Sequence, residues 1–254
     1  MIGKNTVLNK KIAVNEIYTC LQGEGKLTGV PHILVRITGC RLRCQFSNSF
    51  CDTPYSSWGP EKGGFTYNDI IEFYEKYPHI KHTMLTGGGP TLHPEMLQEL
   101  CKIAKRFDHY ITIETEGSEF VKTAGDLISL SPKLSSSTPQ PGSWMPYLNR
   151  KVTEKDRDRH EKWRVNYDAM KQLIDFHPDY QLKPVISTIA DLVEVEELQK
   201  ILDIPNNMVY LMPEGLTPDQ LTKRRQWLSE LCTKRGYNFT DRMHIIIYGD
   251  KRGV

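Results

Sequence analysis

Three cysteines that lie close together in the chain set the strongest limit on what it can fold into. Cys40, Cys44 and Cys51 fall within twelve residues, in the segment GCRLRCQFSNSFCDT, directly after an apolar run. Six cysteines in 254 residues are too few for a disulfide scaffold, and clustered cysteines more often bind metal or react. Their spacing, with three and then six intervening residues, lets one loop wrap a metal centre.

The number of cysteines in this loop favours an iron–sulfur cluster over zinc. A structural zinc site normally closes with four ligands, and the loop offers no fourth Cys or His, because His32 belongs to the preceding apolar run. Three thiolates on a cubane cluster leave one iron free to bind another molecule, which chemistry requires. Two alternatives stay open: three unrelated core cysteines, or a zinc loop whose fourth ligand lies elsewhere in the chain.

Charge and hydropathy narrow the class of partner. Lys and Arg number 33 against 31 Asp and Glu, so the charge gives no case for nucleic acid or an acidic membrane, and a small-molecule partner is favoured. The chain start lacks the apolar run of a signal peptide, and no segment approaches the roughly 20 apolar residues of a membrane span. We therefore expect a soluble, cytoplasmic protein that contacts no membrane.

Short apolar runs alternate with longer amphipathic stretches along the chain. This rhythm predicts an α/β fold with a parallel sheet or an open barrel, whose active groups lie on loops at the carboxyl ends of the strands. The predicted strands are 12–18, 32–38, 82–85, 110–114, 127–130, 181–186, 208–211 and 243–248. The predicted helices are 67–76, 94–107, 161–176, 192–202 and 218–235.

One domain is expected to span residues 1–254. With 39% hydrophobic and 25% charged residues, the chain has the composition of one large domain. Residues 133–159 show no clear period, and periodic segments resume on both sides. They are predicted to form a long surface loop or lid rather than a linker between domains.

The cysteine loop, with Phe50 directly before its last cysteine, resembles the cluster loop of radical S-adenosylmethionine enzymes. Over most of its length the chain resembles one family of them, the 7-carboxy-7-deazaguanine synthases of the queuosine and deazapurine pathway. The segments that carry this resemblance are LQGEGKLTGVPHILVRITGC, CDTPYSSW, TGGGP, IETEGS, LSPK, LMPEG and RMHIIIYGDKRGV. Together they are more specific than the cysteines alone.

The resemblance implies an incomplete (β/α) barrel of the radical S-adenosylmethionine type, assembled as a homodimer. It also implies a 4Fe-4S cluster whose free iron binds S-adenosylmethionine, a flavodoxin-like reductant and a magnesium ion. The implied reaction is the radical ring contraction of 6-carboxy-5,6,7,8-tetrahydropterin to 7-carboxy-7-deazaguanine, with loss of ammonia. The implied enzyme class is a radical S-adenosylmethionine lyase.

Carried over position by position, the resemblance assigns three kinds of site. Cys40, Cys44 and Cys51 would hold the cluster, and Thr53 would hold magnesium beside them, since magnesium prefers oxygen ligands. The substrate would be bound by Gln22, Glu24, Gly25, Arg36, Gly88, His244 and Val254. S-adenosylmethionine would be bound by Phe50, Thr86, Gly87, Glu114, Glu116, Ser131 and Lys133.

Several of these assignments have a structural alternative. Residues 22–25 could form only a turn, and Thr86 with its following glycines could merely turn the chain after a strand. Arg36 sits in an apolar run, where its charge needs an anionic partner, either the substrate carboxylate or a structural Glu. Lys133 could be a solvated lysine, and His244, placed on the last predicted strand, could be a satisfied core histidine.

The sequence departs from the family pattern at three places. Six residues separate the last two cysteines where radical enzymes of this type usually have two, so residues 45–50 are expected to bulge outward. The usual Gly-Gly-Glu element has Gly89 as its third residue, and the usual Glu-Thr-Asn-Gly element has Glu116 in place of Asn. Because both positions follow consecutive strands, the gained acid could compensate for the lost one.

Two other classes of function stay open. Another radical S-adenosylmethionine enzyme, such as an activase that acts on a partner protein, would share the cluster. It should lack a polar pocket built from Gln22, Glu24 and Arg36. A zinc-binding interaction module would have no catalytic role, and anaerobic reconstitution would then give a colourless protein instead of a brown one.

Each cysteine of the cluster loop should be required for iron binding. Exchanging Cys40, Cys44 or Cys51 for Ala should abolish the iron and sulfide measured after anaerobic reconstitution, because a cluster with one free iron needs all three thiolates. The control variants carry the same exchange at the scattered cysteines, which are expected to be small core residues: Cys20, Cys101 and Cys232. Full iron retention in any variant of the clustered three would defeat the assignment.

Overall fold

Strands and helices alternate along residues 8–47 and 49–254, which a computed structural model of the chain describes. The strands are β1 (Val14–Leu21), β2 (Pro31–Ile37), β3 (His82–Gly87), β4 (Tyr110–Thr115), β5 (Leu127–Leu130), β6 (Trp144–Met145), β7 (Arg150–Lys151), β8 (Asp179–Leu182), β9 (Val185–Ile186), β10 (Tyr210–Pro213) and β11 (Asn238–Phe239). The helices are α1 (Tyr67–Lys76), α2 (Pro94–Arg106), α3 (Glu154–Trp163), α4 (Tyr167–Phe176), α5 (Asp191–Leu202), α6 (Pro218–Arg235) and α7 (Met243–Tyr248).

Six of the strands form one sheet in the order β1-β2-β3-β4-β5-β8. The strands from β2 to β8 in this order run parallel, and β1 pairs antiparallel with β2. β9, β10 and β11 form a parallel sheet of their own, and a bridge from Leu182 to Val209 links the two sheets. β1 and β11 do not pair within the described residues, so the barrel stays open. The expected incomplete barrel is confirmed.

One contiguous core of buried apolar side chains joins the sheet to the helices. In α2 the fully buried residues Leu97, Leu100, Cys101 and Ala104 recur at helical spacing, so one face of the helix packs inward. In β5 every residue is buried, as expected for a parallel strand covered on both faces. No helix in the described part of the chain combines the length and the apolar character needed to cross a bilayer.

Most predicted elements lie close to their predicted bounds. α1, α6 and β5 coincide with the predicted ranges, and β2, β3, β4, α2 and α5 differ from them by one or two residues at their ends. The start of α1 is set by a capping box. The Asp69 N–H donates to the Thr66 hydroxyl at 3.2 Å, and the Thr66 N–H donates to the Asp69 carboxylate at 2.6 Å.

The predicted last strand, residues 243–248, is wrong, because α7 occupies these residues. Their β-branched side chains favoured a strand. Only Ile245 is buried, however, and the three residues after it are 41%, 53% and 50% exposed. Buried and exposed side chains therefore do not alternate here as they would in a strand. The Met243 N–H donates to the Gly23 carbonyl at 3.0 Å. Tertiary docking therefore overrides the local propensity at the chain end.

Two other predicted elements are divided in the structure. The single helix predicted for 161–176 is wrong, because α3 ends and α4 begins within it. The Asn166 side chain accepts the Ala169 N–H at 3.1 Å and so caps a new helix. The strand predicted for 181–186 separates into β8 and β9 around Pro184, since proline has no N–H for a strand ladder.

Residues 133–159, predicted as a patternless loop or lid, carry more structure than expected. β6 and β7 pair as a short antiparallel hairpin, and the charged stretch that follows forms the start of α3. The Thr153 hydroxyl accepts the Asp156 N–H at 3.3 Å, and the Asp156 carboxylate accepts the Thr153 N–H at 2.9 Å. This Thr-x-x-Asp capping box is a sequence signal for a helix start, but the many charged residues around it gave no apolar period to support a helix.

The cap at Thr153 generates a stability prediction. Thr153→Ala should lower the free energy of unfolding by about 1 kcal/mol, because it removes the hydroxyl that satisfies a helix N–H. Thr153→Ser keeps that hydroxyl and should retain most of the stability. Urea denaturation followed by circular dichroism measures both. Equal stability of the Ala variant and the parent would show that this helix start needs no cap.

Candidate active site

A cavity of about 420 Å³ lies at the carboxyl ends of the parallel strands. Ligands of open α/β sheets bind at this edge, because the loops that leave the strands converge there. Six strands each contribute a residue that follows them: Cys40 after β2, Gly88 after β3, Glu116 after β4, Ser131 after β5, Lys183 after β8 and Glu214 after β10. All site residues predicted from the sequence line this cavity except Gly25.

Gly25 lies beside the cavity in a backbone position that suits glycine. Its φ is +74°, and a Cβ added there would lie 2.4 Å from Nε2 of Gln181. Its N–H donates to the Thr240 hydroxyl at 2.6 Å. Gly25 thus fixes the turn that directs Glu24 into the cavity, and its contact with a substrate stays a prediction.

The cysteine loop folds back on itself as a small hairpin. Gln45 and Phe50 pair as an antiparallel bridge, and the Cys51 N–H donates to the Cys44 carbonyl at 3.2 Å. These two contacts join the ends of the segment and leave the two cysteines side by side. A bulge was expected between the last two cysteines, but the ends of this segment pair as a hairpin. The six-residue spacing therefore does not move Cys51 away from Cys44.

Neighbouring segments hold this hairpin beside the cavity. The Ser49 hydroxyl donates to the Glu214 carboxylate at 2.8 Å, just after β10. The Gln45 N–H donates to the Ser137 carbonyl at 2.9 Å, and the Gln45 carboxamide oxygen accepts the Ser143 hydroxyl at 3.0 Å. The segment predicted as a lid thus supports the cysteine loop.

The three thiols share one apolar wall of the cavity. Cys40 and Cys44 are buried and pack with Leu42, and Cys51 contacts this group. Phe50 lines the cavity next to them. Burial raises the pKa of Cys40 to about 12, and it also raises the pKa of Cys44 and of Cys51. The raised pKa values favour the protonated thiols at neutral pH, and a metal centre bound there would have to displace the protons.

These donors fit an iron–sulfur cluster. Three soft sulfur ligands face an open cavity, which is the donor set that selects iron–sulfur clusters and leaves one position for another ligand. Across residues 8–47 and 49–254, no three His, Cys, Asp or Glu side chains converge closely enough to hold one metal ion. This finding includes Cys40, Cys44 and Cys51, so it concerns single metal ions of any kind, and the choice between a cluster and zinc stays with the number and type of the donors.

Arg36 has a structural carboxylate partner. Its Nε lies 2.5 Å from Oε2 of Glu16, and its Nη2 donates to the Tyr18 hydroxyl at 3.0 Å. The Tyr55 hydroxyl donates to the same Glu16 oxygen at 3.2 Å. The structural Glu that the sequence offered as a partner of Arg36 is thus Glu16. The guanidinium group also lines the cavity, where it can contact a ligand.

Glu24 belongs to a network of buried charges. Its carboxylate pairs with the Lys183 ammonium and accepts Nε–H of Arg242 at 3.1 Å. Arg242 also pairs with Asp52, which follows the last cysteine of the loop. Burial opposes the charge of Glu24, but the two cations outweigh it and hold the pKa of this carboxyl below its usual value. Glu24 is therefore an anion that can accept hydrogen bonds from a ligand.

α7 packs directly on the segment that carries Gln22. A Cβ added to Gly23 would lie 2.3 Å from Nδ1 of His244. The imidazole therefore packs directly against the backbone of Gly23. Gln22 is buried, and its amide donates to Sδ of Met84 at 3.1 Å. Burial lowers the pKa of His244, which favours the neutral imidazole at neutral pH. The ring can then both donate and accept hydrogen bonds.

Glu116 fills the space that a side chain at position 89 would take. A Cβ added to Gly89 would lie 2.8 Å from Oε1 of Glu116. Glu116 is 4% exposed, and its carboxylate accepts the Ser118 hydroxyl at 2.7 Å. No cationic side chain of the described residues pairs with Glu116, although the carboxylate lines the cavity. A buried carboxylate group with no cationic side-chain partner leaves room for a cationic ligand at this point of the cavity.

The cofactor residues predicted from the sequence meet at neighbouring strand ends. Glu114 accepts the Lys183 ammonium at 3.0 Å and the Ser129 hydroxyl at 3.2 Å. The Lys133 ammonium donates to the Ser131 carbonyl at 2.7 Å and to the Ser131 hydroxyl at 2.8 Å. Lys133 is therefore turned toward the cavity wall and is not a fully solvated lysine.

The carboxyl-terminal tail closes one side of the cavity. Val254 is half-buried and lines the cavity. Arg252 anchors the tail, because its guanidinium pairs with Glu16, makes two hydrogen bonds to Glu61 at 3.0 and 2.7 Å, and stacks on the Tyr55 ring at 3.8 Å.

Comparison with known proteins finds relatives that match nearly the whole chain. A 7-carboxy-7-deazaguanine synthase of Rhodopirellula baltica is 37% identical over 247 residues, which cover 96% of this chain and 89% of the relative. One of Halobacterium salinarum is 36% identical over 252 residues, which cover 94% of this chain and 91% of the relative. This chain belongs to the 7-carboxy-7-deazaguanine synthase family. The resemblance stated from the sequence motifs is confirmed.

The fold of this synthase family member is also found in a solved structure. The crystal structure of QueE from Escherichia coli aligns with a TM-score of 0.65 over 95% of this chain and 99% of that chain, at 19% sequence identity. At this identity the likeness concerns the fold. No family model matches the sequence.

Most of the charged residues that hold this synthase cavity together are not among the residues predicted from the sequence. Lys183 and Arg242 pair with Glu24, and Glu16 and Asp52 pair with arginines around the same cavity. One signal was present for Lys183, because a lysine at the end of a buried strand needs an anionic partner. The other partners are distant in sequence, and no local pattern indicates them.

The contact between Gly88 and the cysteine loop generates a prediction. A Cβ added to Gly88 would lie 2.2 Å from the Gly39 carbonyl oxygen and 2.3 Å from the Ser56 carbonyl oxygen. Backbone atoms next to Cys40 would have to move, so Gly88→Ala should lower the iron content after reconstitution several-fold. Gly64→Ala is the control, because an added Cβ there has no atom within 4 Å. Equal iron contents would contradict this tight packing.

Proposed function

We propose that this chain catalyses the radical ring contraction of 6-carboxy-5,6,7,8-tetrahydropterin to 7-carboxy-7-deazaguanine, with loss of ammonia, in deazapurine biosynthesis. The relatives at 37% and 36% identity carry the name of this activity. The structural observation that carries the proposal is the convergence of three thiols and a set of buried charges on one cavity. A protein activase would share the thiols but would not need this polar pocket.

The proposed cofactors are a 4Fe-4S cluster on Cys40, Cys44 and Cys51 and one molecule of S-adenosylmethionine. When bound, they would supply the radical that takes a hydrogen atom from the substrate. The apolar packing around the thiols would help to keep water from a bound cluster. The residues proposed to hold S-adenosylmethionine line the cavity at the strand ends and the cysteine loop: Phe50, Thr86, Gly87, Glu114, Glu116, Ser131 and Lys133.

The charges of the cavity suit a substrate with a carboxylate and a pterin ring. Arg36 would bind the carboxylate, because its Nη1 makes no hydrogen bond to a described residue while Nε and Nη2 are held by Glu16 and Tyr18. The anionic Glu24 would accept hydrogen bonds from the amino edge of the pterin. The other residues proposed to surround the substrate are Gln22, Gly25, Gly88, His244 and Val254.

The proposal extends to a homodimer and to a flavodoxin-like reductant in the cytoplasm. Ile246, Ile247 and Tyr248 on α7 expose large apolar side chains, which supports a contact with a second copy. Light scattering of the purified protein measures this association. Reduction by a purified flavodoxin in place of dithionite tests the electron donor.

Turnover tests the proposed function directly. The reconstituted protein is incubated without oxygen with the carboxypterin, S-adenosylmethionine, magnesium and dithionite, and the product is identified by mass. We expect 7-carboxy-7-deazaguanine, and we expect none when the Cys44→Ala variant replaces the parent. A parent protein with a full cluster and no product would overturn the proposal. Hydrogen abstraction from a partner protein under the same conditions would favour the activase.

We also propose that Glu116 takes over a role that Gly89 has lost. In the family pattern, the acid of the Gly-Gly-Glu element receives the ammonium group of S-adenosylmethionine, and Gly89 has no side chain to do so. The Glu116 carboxylate lies 2.8 Å from the position of a Cβ at residue 89 and has no cationic partner among the described residues. The two carboxylates would therefore occupy the same space.

This exchange predicts the behaviour of two variants. Glu116→Gln should weaken S-adenosylmethionine binding about tenfold to a hundredfold, because a charge-assisted hydrogen bond is worth about 1.5 to 3 kcal/mol. Gly89→Glu combined with Glu116→Asn should restore much of the affinity, since the shorter Asn makes room for the new side chain. Calorimetry without reductant measures both. Parental affinity of Glu116→Gln would refute the exchange.

We propose that Thr53 holds a magnesium ion beside the cluster. Its hydroxyl lies 3.5 Å from Sγ of Cys51 and lines the cavity, so a cation there would also reach a substrate carboxylate. Thr53→Ala should weaken the dependence of turnover on magnesium, and Thr53→Ser, which keeps the oxygen ligand, should largely preserve it. The same magnesium dependence in the parent and both variants would exclude this ligand.

A further inference from the structure

Lys183 is a buried lysine to which the sequence assigned no role. It follows β8 and precedes Pro184, and its side chain is only 2% exposed although it lines the cavity. Its backbone is fixed, because the N–H donates to the Leu130 carbonyl at 2.7 Å. The ammonium group therefore has a defined position inside the barrel.

The ammonium group joins two carboxylates that come from different parts of the chain. It pairs with Glu24, in the loop after β1, and with Glu114, on β4, at 3.0 Å. An ammonium group presents three donors, so it can serve both acids at once. Loss of the contact with Glu114 would leave that acid without a cationic partner at a depth where this is costly, whereas Glu24 would keep Arg242.

The two carboxylates face the two ligand positions of the proposed function. Glu24 is the proposed acceptor for the pterin, and Glu114 is among the residues proposed for S-adenosylmethionine. Each acid also has its own second partner, Arg242 for Glu24 and Ser129 for Glu114. Lys183 is the contact that the two acids share.

We propose that Lys183 is a positioning residue that couples the binding of substrate to the binding of S-adenosylmethionine, an inference that rests on the proposed function. A ligand that orders one carboxylate also orders the ammonium group, and the ammonium group then orders the other carboxylate. Each ligand should therefore bind more tightly when the other is present. Because coupling free energy is reciprocal, the same factor applies in both directions.

The charges around Glu24 give the coupling a pH signature. Glu24 faces Lys183, Arg242 and His244, and Lys183 faces Glu114 on its other side. Burial favours the protonated form of Glu24, and the two cations keep its pKa below the usual value. Without the Lys183 charge this pKa rises, and the Asp52 carboxylate, which repels the charge of Glu24, acts in the same direction. Substrate affinity that needs an ionised Glu24 should then decline more steeply in the variant than in the parent as the pH falls.

The experiment measures binding in the reconstituted protein without reductant, so that no turnover occurs. Calorimetry gives the dissociation constant of the carboxypterin with and without S-adenosylmethionine. The coupling factor is the dissociation constant without S-adenosylmethionine divided by the one with it. In the parent we expect a factor of about 5 or more, which is typical for linked sites. In Lys183→Met the factor should fall to about 1, and substrate affinity should decline more steeply toward acid pH than it does in the parent. Those two changes together would not arise from a general loss of structure.

Matched variants separate the coupling from folding. Lys105→Gln removes an ion pair with Asp126 that lies outside the cavity, and it should leave the coupling unchanged. If Lys183→Met does not take up the cluster, Glu114→Gln provides the same test, because it leaves the pair of Lys183 and Glu24 in place. Its coupling factor should also approach 1.

The outcomes distinguish this inference from the proposed function. A parent protein that binds the carboxypterin with no coupling, or a Lys183→Met variant that keeps the parental factor, overturns the role of Lys183 alone. A parent that binds no carboxypterin overturns the proposed function and this inference with it. Loss of coupling with both ligands still bound supports the positioning role.

Discussion

A lysine ammonium group buried between two carboxylates is the interaction on which the arrangement of the cavity depends. An isolated charge at the depth of Lys183 would cost several kcal/mol, and the pairs with Glu24 and Glu114 offset that cost. Arg242 extends the network from Glu24 to Asp52 beside the cysteine loop. Since each partner comes from a different element, none of these elements can shift alone without exposing an unpaired charge.

The cysteine loop is held through its backbone and through the side chains of Gln45 and Ser49, which leaves the thiols available as ligands. The Cys40 carbonyl accepts Nη1–H of Arg43 at 3.1 Å and Nη2–H of Arg159 at 3.0 Å. Arg159 belongs to α3, the helix that the sequence analysis had placed partly in a loop. Two guanidinium groups at the back of the loop also favour the negative charge that three thiolates bring to a cluster. The segment after β5 therefore contributes to the electrostatics of the site as well as to its shape.

Local patterns predicted the parts of the structure that local forces determine. α1 follows from its capping box and its periodic apolar face, and the closeness of the three cysteines follows from their short separation in the chain. The ion pairs could not be predicted, because Lys183 and Glu24 lie 159 residues apart and only the completed barrel brings them together. α7 was assigned wrongly because β-branched propensity is weak compared with docking onto Gly23. The spacing of the last two cysteines suggested a bulge instead of a hairpin, because a pairing between residues so close in the chain has no recognisable sequence pattern.

The two alternatives for Arg36 need not exclude each other, because its carboxylate partner is shared. Glu16 pairs with Arg36 and also with Arg252 of the carboxyl-terminal tail, and Arg252 pairs in turn with Glu61. The charges of these two guanidinium groups and two carboxylates cancel only when all four groups are counted together. Because the tail also uses Glu16, this carboxylate is shared, and Nη1 of Arg36 stays available on the cavity side. The chain end is therefore linked, through a shared carboxylate, to the arginine proposed for an anionic ligand without having to touch that ligand.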